Sequence, residues 1–340
     1  LAGCSEDEAL KRRLIQVFRS SELDRWVGNL VSRGESWEKE LHYAIPPKED
    51  LKDTVTPRER FLQVHGSVFR AGMKDAAEEK SDGRVLLVLH DITELKRLEQ
   101  IRKDFVANVS HELKTPITSL KGYVETLLDG ALDDRPKAEE FLRIIASQTE
   151  RINAIVTDLL SLSRLEQAGS TLEKEPLPGR SLLESALGVC RRKAEEKRIT
   201  FDLVCPEELF VPANTLLIEQ ALVNLIDNAV KYSNAGSVVR LTAKNEGKTV
   251  TFQVEDSGCG IPEKDLPRLF ERFFRVDRAR SRELGGTGLG LAIVKHIALA
   301  HGGSVGVSSV EGKGAVFTLR IPSAGLSGSS PAGGSVPSEL

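Results

Sequence analysis

The sequence predicts a multidomain α+β chain, and three observations carry that expectation. A stretch from about residue 95 to 168 has helical periodicity almost throughout, residues 181–322 alternate helices, β-rich runs and glycine loops, and a short Gly/Pro-bearing link separates the two. With 340 residues, 40% of them hydrophobic, the chain is long enough for about two or three compact cores.

Each part has its own texture. Residues 1–94 mix charged helical segments with strand-like runs. Residues 7–25 read as helix, whereas residues 60–64 and the run Val85-Leu86-Leu87-Val88-Leu89-His90, which follows the turn signal Ser81-Asp82-Gly83, read as strands. Trp26 and Trp37 read as packing residues. In the helical middle, Leu113, Ile117, Leu120, Val124, Leu127 and Ala131 recur in alternating steps of four and three. Phe141, Ile145, Ile152, Ile155, Leu159 and Leu162 form a second ladder with Gln148 as its polar rung. Such ladders are a/d seams on two helices, joined by a turn over 129–136 that holds Gly130 and Pro136. One hairpin buries only part of two seams, so a homodimeric four-helix bundle is the economical solution. Leu95, Leu98, Ile101 and Phe105 extend the first helix upstream, where a stiff helix could carry a rotation or register shift. Residues 169–180 read as a linker, and 323–340 as a disordered tail of Ser, Gly, Ala and Pro.

Composition excludes several classes. The 47 basic against 50 acidic side chains leave a net charge of -3, without the basic footprint of a nucleic-acid binder. Cys4, Cys190, Cys205 and Cys259 form no C-x-x-C pair, which argues against zinc and for a reducing compartment. No run of about 20 apolar residues exists to span a bilayer. Because the sequence starts at Leu1 without a secretory pattern, it reads as a fragment or processed product, and any membrane segment is expected upstream of it.

The candidate chemistry starts at His111. With Leu113 at d and Ile117 at a, His111 falls at b, Glu112 at c and Thr115 at f, so His111 is expected to face solvent. An exposed imidazole with a reference pKa of about 6.5 keeps a nucleophilic lone pair at neutral pH. Glu112 can accept its ring proton and steer the tautomer. Pro116 is expected to kink the helix nearby. Register alone leaves an ordinary surface histidine equally open.

Further on, Asn224, Asn228 and Tyr232 recur every four residues on an amphipathic helix, with Lys231 beside them. Two glycine loops follow. Asp256-Ser257-Gly258-Cys259-Gly260 ends a strand-like run, and its glycines permit close backbone approach while Asp256 offers an acceptor to an amino group. Gly286-Thr287-Gly288-Leu289-Gly290 opens a helix whose backbone donors suit phosphate oxygens. Neither loop fits a dinucleotide fingerprint or a Walker phosphate loop. Cys259 reads as a small buried filler.

In this order the pieces resemble the sensor histidine kinases of two-component systems. His111-Glu112-Leu113-Lys114-Thr115-Pro116 is similar to the phosphoacceptor box, residues 224–232 to the asparagine box, and 256–260 to the first glycine box. Leu269-Phe270-Glu271-Arg272-Phe273-Phe274-Arg275 resembles the phenylalanine box and 286–291 the second glycine box. Val88-Leu89-His90-Asp91-Ile92-Thr93-Glu94 resembles the end of a PAS domain, and the arrangement is similar to the phosphate-regulon type. The resemblance implies a partial PAS-like α/β domain over 1–94 and a dimeric antiparallel helical hairpin over 95–168. It also implies a two-layer α/β Bergerat-type ATP-binding domain over 181–322.

The same resemblance implies the roles. His111 would take the γ-phosphoryl group of ATP and pass it to an aspartate on a response regulator receiver domain, with Glu112 as acid/base partner. Thr115 would orient water for dephosphorylating the regulator. Asn228 would bind Mg²⁺, Asn224 would support the phosphate site and Lys231 would reach phosphate. Tyr232 would pack on adenine, whose amino group Asp256 would accept. Gly258, Gly260, Gly286, Thr287, Gly288, Leu289 and Gly290 would line the nucleotide, and Arg275 would approach its phosphates from a lid over 276–285. Attachment of the full-length protein to an inner membrane, leaving this chain as a cytoplasmic portion, is implied as well. The rival reading, an ATP-driven clamp of the gyrase or MutL kind, needs a water-activating carboxylate one turn before the metal-binding asparagine. That position is Asn224, and an amide is no general base.

Overall fold

The computed structural model describes residues 13–18, 20–45, 58–70, 83–167, 172–277 and 286–323. Most of the expected lid (278–285), nearly all of the expected tail (324–340), Cys4, residue 168 and residues 169–171 of the expected linker lie outside them. The chain divides into two compact units, Leu1–Ala107 and Asn108–Leu340.

In the first unit, helices α1 (Leu14–Phe18) and α2 (Ser21–Arg33) precede strands β1 (Trp37–Ile45), β2 (Arg58–Arg70) and β3 (Gly83–Asp91). The reading of helix over 7–25 thus understates α2, which runs on to Arg33. Ser20 caps its start by accepting the Leu23 N–H, and Gly34, with φ of 71°, ends it in the left-handed region. The strands form an antiparallel sheet in the order β1-β2-β3. Leu23, Leu41, Tyr43, Leu62 and Val64 make the core, with Trp26 and Trp37 packed against it edge to face at 5.4 Å. At the end of β3, Asp91 accepts from the backbone and hydroxyl of Thr93, and these bonds hold its carboxyl below the usual range. Helix α3 (Thr93–Leu128) starts there.

The unit boundary falls within α3. In the second unit the rest of α3 and α4 (Arg135–Gln167) form a hairpin whose turn contains the 3-10 segment Ala131–Asp133. Ala131, expected as a helical rung, therefore lies in the turn. Glu112 meets Arg151, and Tyr123 meets Phe141 at 5.3 Å. The two pairs sum to nearly the same residue number, the signature of antiparallel helices in register. α3 continues through Pro116, which is buried. Ile155 and Leu162 are fully buried, whereas Ile117, Val124, Leu142, Val156 and Leu160 stay exposed on the hairpin.

After α4, β4 (Glu175–Pro178) lies within the stretch expected as linker and pairs antiparallel with β6 (Phe210–Ala213). Helices α5 (Gly179–Glu196), α6 (Thr215–Tyr232) and α7 (Gly290–Ala300) cover a sheet of order β5-β7-β8-β10-β9. Its strands are β5 (Thr200–Val204), β7 (Val238–Asn245), β8 (Thr249–Asp256), β9 (Ser304–Val310) and β10 (Gly314–Pro322). Only the β5–β7 pairing is parallel. Alternate residues of β7 (Val239, Leu241, Ala243) and β8 (Val250, Phe252, Val254) are buried in the core, as are Leu222, Leu225 and Ile226 of α6. This is the expected two-layer α/β domain.

His301, just past α7, ties this domain together. Its Nε2 accepts the Asn214 N–H at 3.0 Å, which leaves Nδ1 to donate to the Ile297 carbonyl at 2.8 Å. Asn214 in turn caps α6 by accepting from Leu217. A proton on Nε2 would break the first bond. Burial accordingly holds the His301 pKa below its ordinary 6.5, outweighing the Ile297 bond. The unfolded chain then binds a proton that the folded one refuses, so stability present above the ordinary value is lost as pH falls from it toward the folded pKa. Burial, aided by Arg272, lowers His296 in the same sense. His301→Gln should cost about 1–3 kcal/mol near neutrality. It should also flatten the fall in Tm between about pH 7.5 and pH 5.5. Thermal melts across that range check both, and parallel slopes for variant and parent would remove His301 from the account.

Candidate functional site

Within the second unit, α6, the loop after β8, residues 273–277 and the loop opening α7 enclose a cavity of about 520 Å³. Asn224, Asn228, Lys231 and Tyr232 line it from α6, as their four-residue spacing requires. Asp256, Cys259 and Gly260 line it beyond β8, and Gly286, Thr287, Gly288 and Gly290 at the start of α7. Ala315 and Phe317 of β10 contribute apolar wall. Gly258 and Leu289 stand just behind this surface. A Cβ on Gly258 would lie 2.4 Å from the Tyr232 carbonyl oxygen, and Leu289 is fully buried. Gly260, at φ of 65°, could carry no Cβ without meeting the Val310 carbonyl at 2.2 Å.

The polar groups are strongly coupled. Asp256 is buried and accepts the Gly258 N–H at 2.8 Å; burial raises its pKa against the hydrogen bonds from Gly258 and Ala315. Asp227 binds Lys231 and Lys193, each at 2.6 Å. Burial pushes its pKa up, but the two lysines outweigh it and the carboxyl ends below its ordinary range. Lys231, expected to reach a phosphate, is therefore held by Asp227 in this arrangement. Asn224 Nδ2 is buried with no hydrogen-bond partner among the described residues. It is a donor facing a cavity that needs acceptors.

His111 is exposed on α3, as its register predicts, and Thr115 Oγ1 donates to the His111 carbonyl at 3.1 Å. Glu112 departs from the expectation of an outward c position. Its side chain is 13% exposed, and one oxygen, Oε2, accepts from both Arg151 and Arg275 at 3.1 Å. Arg275 is also part of the cavity wall and is 4% exposed. Burial lowers its pKa, against the pull of Glu112 and with a further push from Arg151. Its Nε and Nη1, and Nε of Arg151, have no partner among the described residues.

Sequence reasoning missed Arg151, Asp158, Asp227 and Lys193. Asp158 of α4 lines the cavity and accepts from Thr287 Oγ1 at 2.7 Å. Asp227 and Lys231 at i and i+4 were a readable pair. Arg151 and Asp158 carry no local signal. The reading of Cys259 as a buried filler is corrected, since its thiol is exposed at the cavity.

A glycine-looped cavity on a two-layer α/β domain, clasped to a hairpin that presents an outward histidine, defines a nucleotide-using phosphotransfer class of protein. Comparison with known proteins narrows this. The model of the His Kinase A (phospho-acceptor) domain matches residues 101–168, and that of the histidine kinase-, DNA gyrase B- and HSP90-like ATPase matches residues 213–325. The histidine kinase AdeS of Acinetobacter baumannii is 30% identical over 63% of this chain and 98% of its own, with a TM-score of 0.52. The chain belongs to the sensor histidine kinase family. Sensor histidine kinase WalK of Bacillus subtilis is 40% identical over 319 residues, 91% of this chain and 50% of that protein. Sensor protein kinase WalK of Staphylococcus aureus is 38% identical over 240 residues, 70% of this chain and 57% of that protein. The chain thus spans about half the length of these curated relatives, which carry the WalK name rather than a phosphate-regulon one. Histidine kinase ThkA, solved with the response regulator protein TrrA, shares the fold at a TM-score of 0.54, with 24% identity over 94% of this chain and 89% of its own.

The cysteines give a chemical test of the cavity. Cys190 is buried, with its pKa pushed up to about 11 by burial and Asp227, and burial also raises Cys205. An alkylating probe should modify Cys259 first of these three. ATP at about ten times its Kd should slow that modification roughly tenfold. Peptide mapping of the alkylated protein reads the order and the protection.

Proposed function

We propose that this chain transfers the γ-phosphoryl group of ATP to His111 and from there to an aspartate of a response regulator. The observation that carries the reading is Arg275, whose guanidinium is at once a wall of the cavity and a partner of the carboxylate next to the exposed histidine.

In this reading Asp256 accepts the adenine amino group and Tyr232 packs against the ring. The donors that lack partners fit a phosphate tail, since Asn224 Nδ2 and the free N–H groups of Arg275 need anionic acceptors. The backbone donors of 286–290 sit at the start of α7, where a helix favours negative charge. Asn228 offers an amide oxygen, which suits Mg²⁺ held jointly with phosphate oxygens rather than by a protein cage. Such an ion would neutralise charge on the phosphates.

Transfer forms an N–P bond at the His111 imidazole and breaks the bond from the γ-phosphorus to the β-bridging oxygen, releasing ADP. The ring's N–H proton passes toward Glu112. Glu112 Oε2 already accepts from two arginines, so the described arrangement is read as a holding state. Release of Glu112 by Arg275 would open Oε2 toward the imidazole and make the whole guanidinium available to phosphate. Thr115, one turn from His111, would orient water when the regulator is dephosphorylated.

The exposed apolar side chains Ile117, Val124, Leu142, Val156 and Leu160 would be covered by a second copy in a four-helix homodimer. The first unit would supply a PAS-like input. Among the described residues no helix is long and apolar enough to cross a membrane.

His111→Gln should lower labelling from γ-³²P-ATP by at least about 100-fold while leaving the Kd for ATP within about twofold. Asn228→Asp should instead weaken ATP binding. Undiminished labelling of the His111 variant would refute the assignment. Restored labelling in a mixture of the two variants would show transfer between subunits, and a time course against a panel of receiver domains would identify the regulator.

A further inference from the structure

Asp158 belongs to the phosphoacceptor hairpin, yet its carboxylate reaches into the cavity of the neighbouring domain. Its Oδ2 accepts from Thr287 Oγ1 at 2.7 Å, and that oxygen accepts the Leu289 N–H at 3.2 Å. The carboxylate therefore ends a hydrogen-bond chain that begins on the backbone opening α7, where an anion is electrostatically favoured. Burial raises the Asp158 pKa, against the Thr287 bond and the charge of Lys231. Lys231 is itself committed to Asp227, which also holds Lys193. The charge on Asp158 is thus desolvated and only partly compensated. Nothing in the phosphotransfer scheme uses it.

We propose that Asp158 acts as an anionic competitor of the nucleotide's phosphate tail, and so determines how the pocket discriminates phosphorylated from unphosphorylated adenine ligands. This rests on reading the cavity as a nucleotide site. With the hairpin docked, the carboxylate occupies the hydroxyl of the phosphate loop and places a negative charge beside the entering phosphates. A triphosphate must displace it, which loosens α4 from that loop. By reciprocity of linked equilibria, docking of α4 weakens phosphate binding by the same factor. An adenosine, which lacks phosphates, feels no such opposition. If the carboxylate instead served as a metal ligand, its removal would weaken binding of the metal–nucleotide complex, the opposite sign.

The test is calorimetric titration of the full chain and its Asp158→Asn variant with Mg-ATP and with adenosine. At low salt the variant should bind Mg-ATP about threefold to tenfold more tightly, and the gain should shrink at about 0.5 M salt as the charge is screened. Adenosine should bind both proteins alike, which also reports that the variant is folded. Asp158→Glu, keeping the charge, should retain the parent's weaker Mg-ATP binding. Should the amide variant fail to bind adenosine, Asp158→Ser carries the same comparison. Mg-ATP binding that is unchanged or weaker in the neutral variants overturns the proposal, as does an equal gain for adenosine. A parent protein that binds neither ligand would instead sink the nucleotide reading of the cavity, and the proposal with it.

Discussion

The second unit hangs on one face of α4. Arg151, Asp158 and Glu166 are spaced by seven and eight residues, so they project within about a quarter-turn of one another. Arg151 shares Glu112 with Arg275, Asp158 takes the hydroxyl of Thr287, and Glu166 pairs with Arg272, which also approaches His296 at 3.4 Å. α4 also packs directly against α7. One helix thereby touches the phenylalanine-rich segment and the second glycine loop together. The cavity is walled partly by residues of the helix that also packs behind His111.

These contacts are polar and mostly shielded, and that sets their character. Pairs between charges in a desolvated site give specific geometry rather than large net stability, because removal from water offsets much of the attraction. Around Glu112 two guanidiniums face one carboxylate, leaving an excess of positive charge and three guanidinium nitrogens without partners among the described residues. Around Asp158 the imbalance is reversed. The interface is therefore charged in opposite senses at two points close to the cavity, which is a poor design for a permanent contact.

Much of this fold could be read from spacing. The ladders on α3 and α4 predicted a hairpin, and the Glu112–Arg151 and Tyr123–Phe141 pairs place it in the antiparallel register that a short turn near Gly130 requires. The four-residue recurrence of Asn224, Asn228 and Tyr232 placed all three in one cavity wall because helical geometry does so without tertiary help. The glycines after β8 were legible since only a residue without Cβ tolerates the carbonyls of Tyr232 and Val310 at such range. What could not be read was every contact joining distant segments. Arg275 and Glu112 are 163 residues apart, and Thr287 and Asp158 are 129 apart. No periodicity encodes such a meeting, which depends on how two domains lie within one unit. β4 was hidden for a related reason: its two prolines read as linker, and only pairing with β6 makes it a strand.

His111 and Glu112 are adjacent in sequence but a hundred degrees apart on the helix, and this rotation separates their fates. The histidine stays in solvent, while the glutamate turns inward to Arg151 and Arg275. Removing one partner from a shielded ion pair costs about 3–5 kcal/mol when the remaining charge is left uncompensated. Glu112 escapes that penalty because Arg151 stays when Arg275 departs. Arg275 escapes it only if another anion receives its guanidinium, and the cavity it borders is where such an anion would enter. The second arginine is therefore what would allow the first to move: with Arg151 alone on Glu112, the carboxylate would keep a counter-charge.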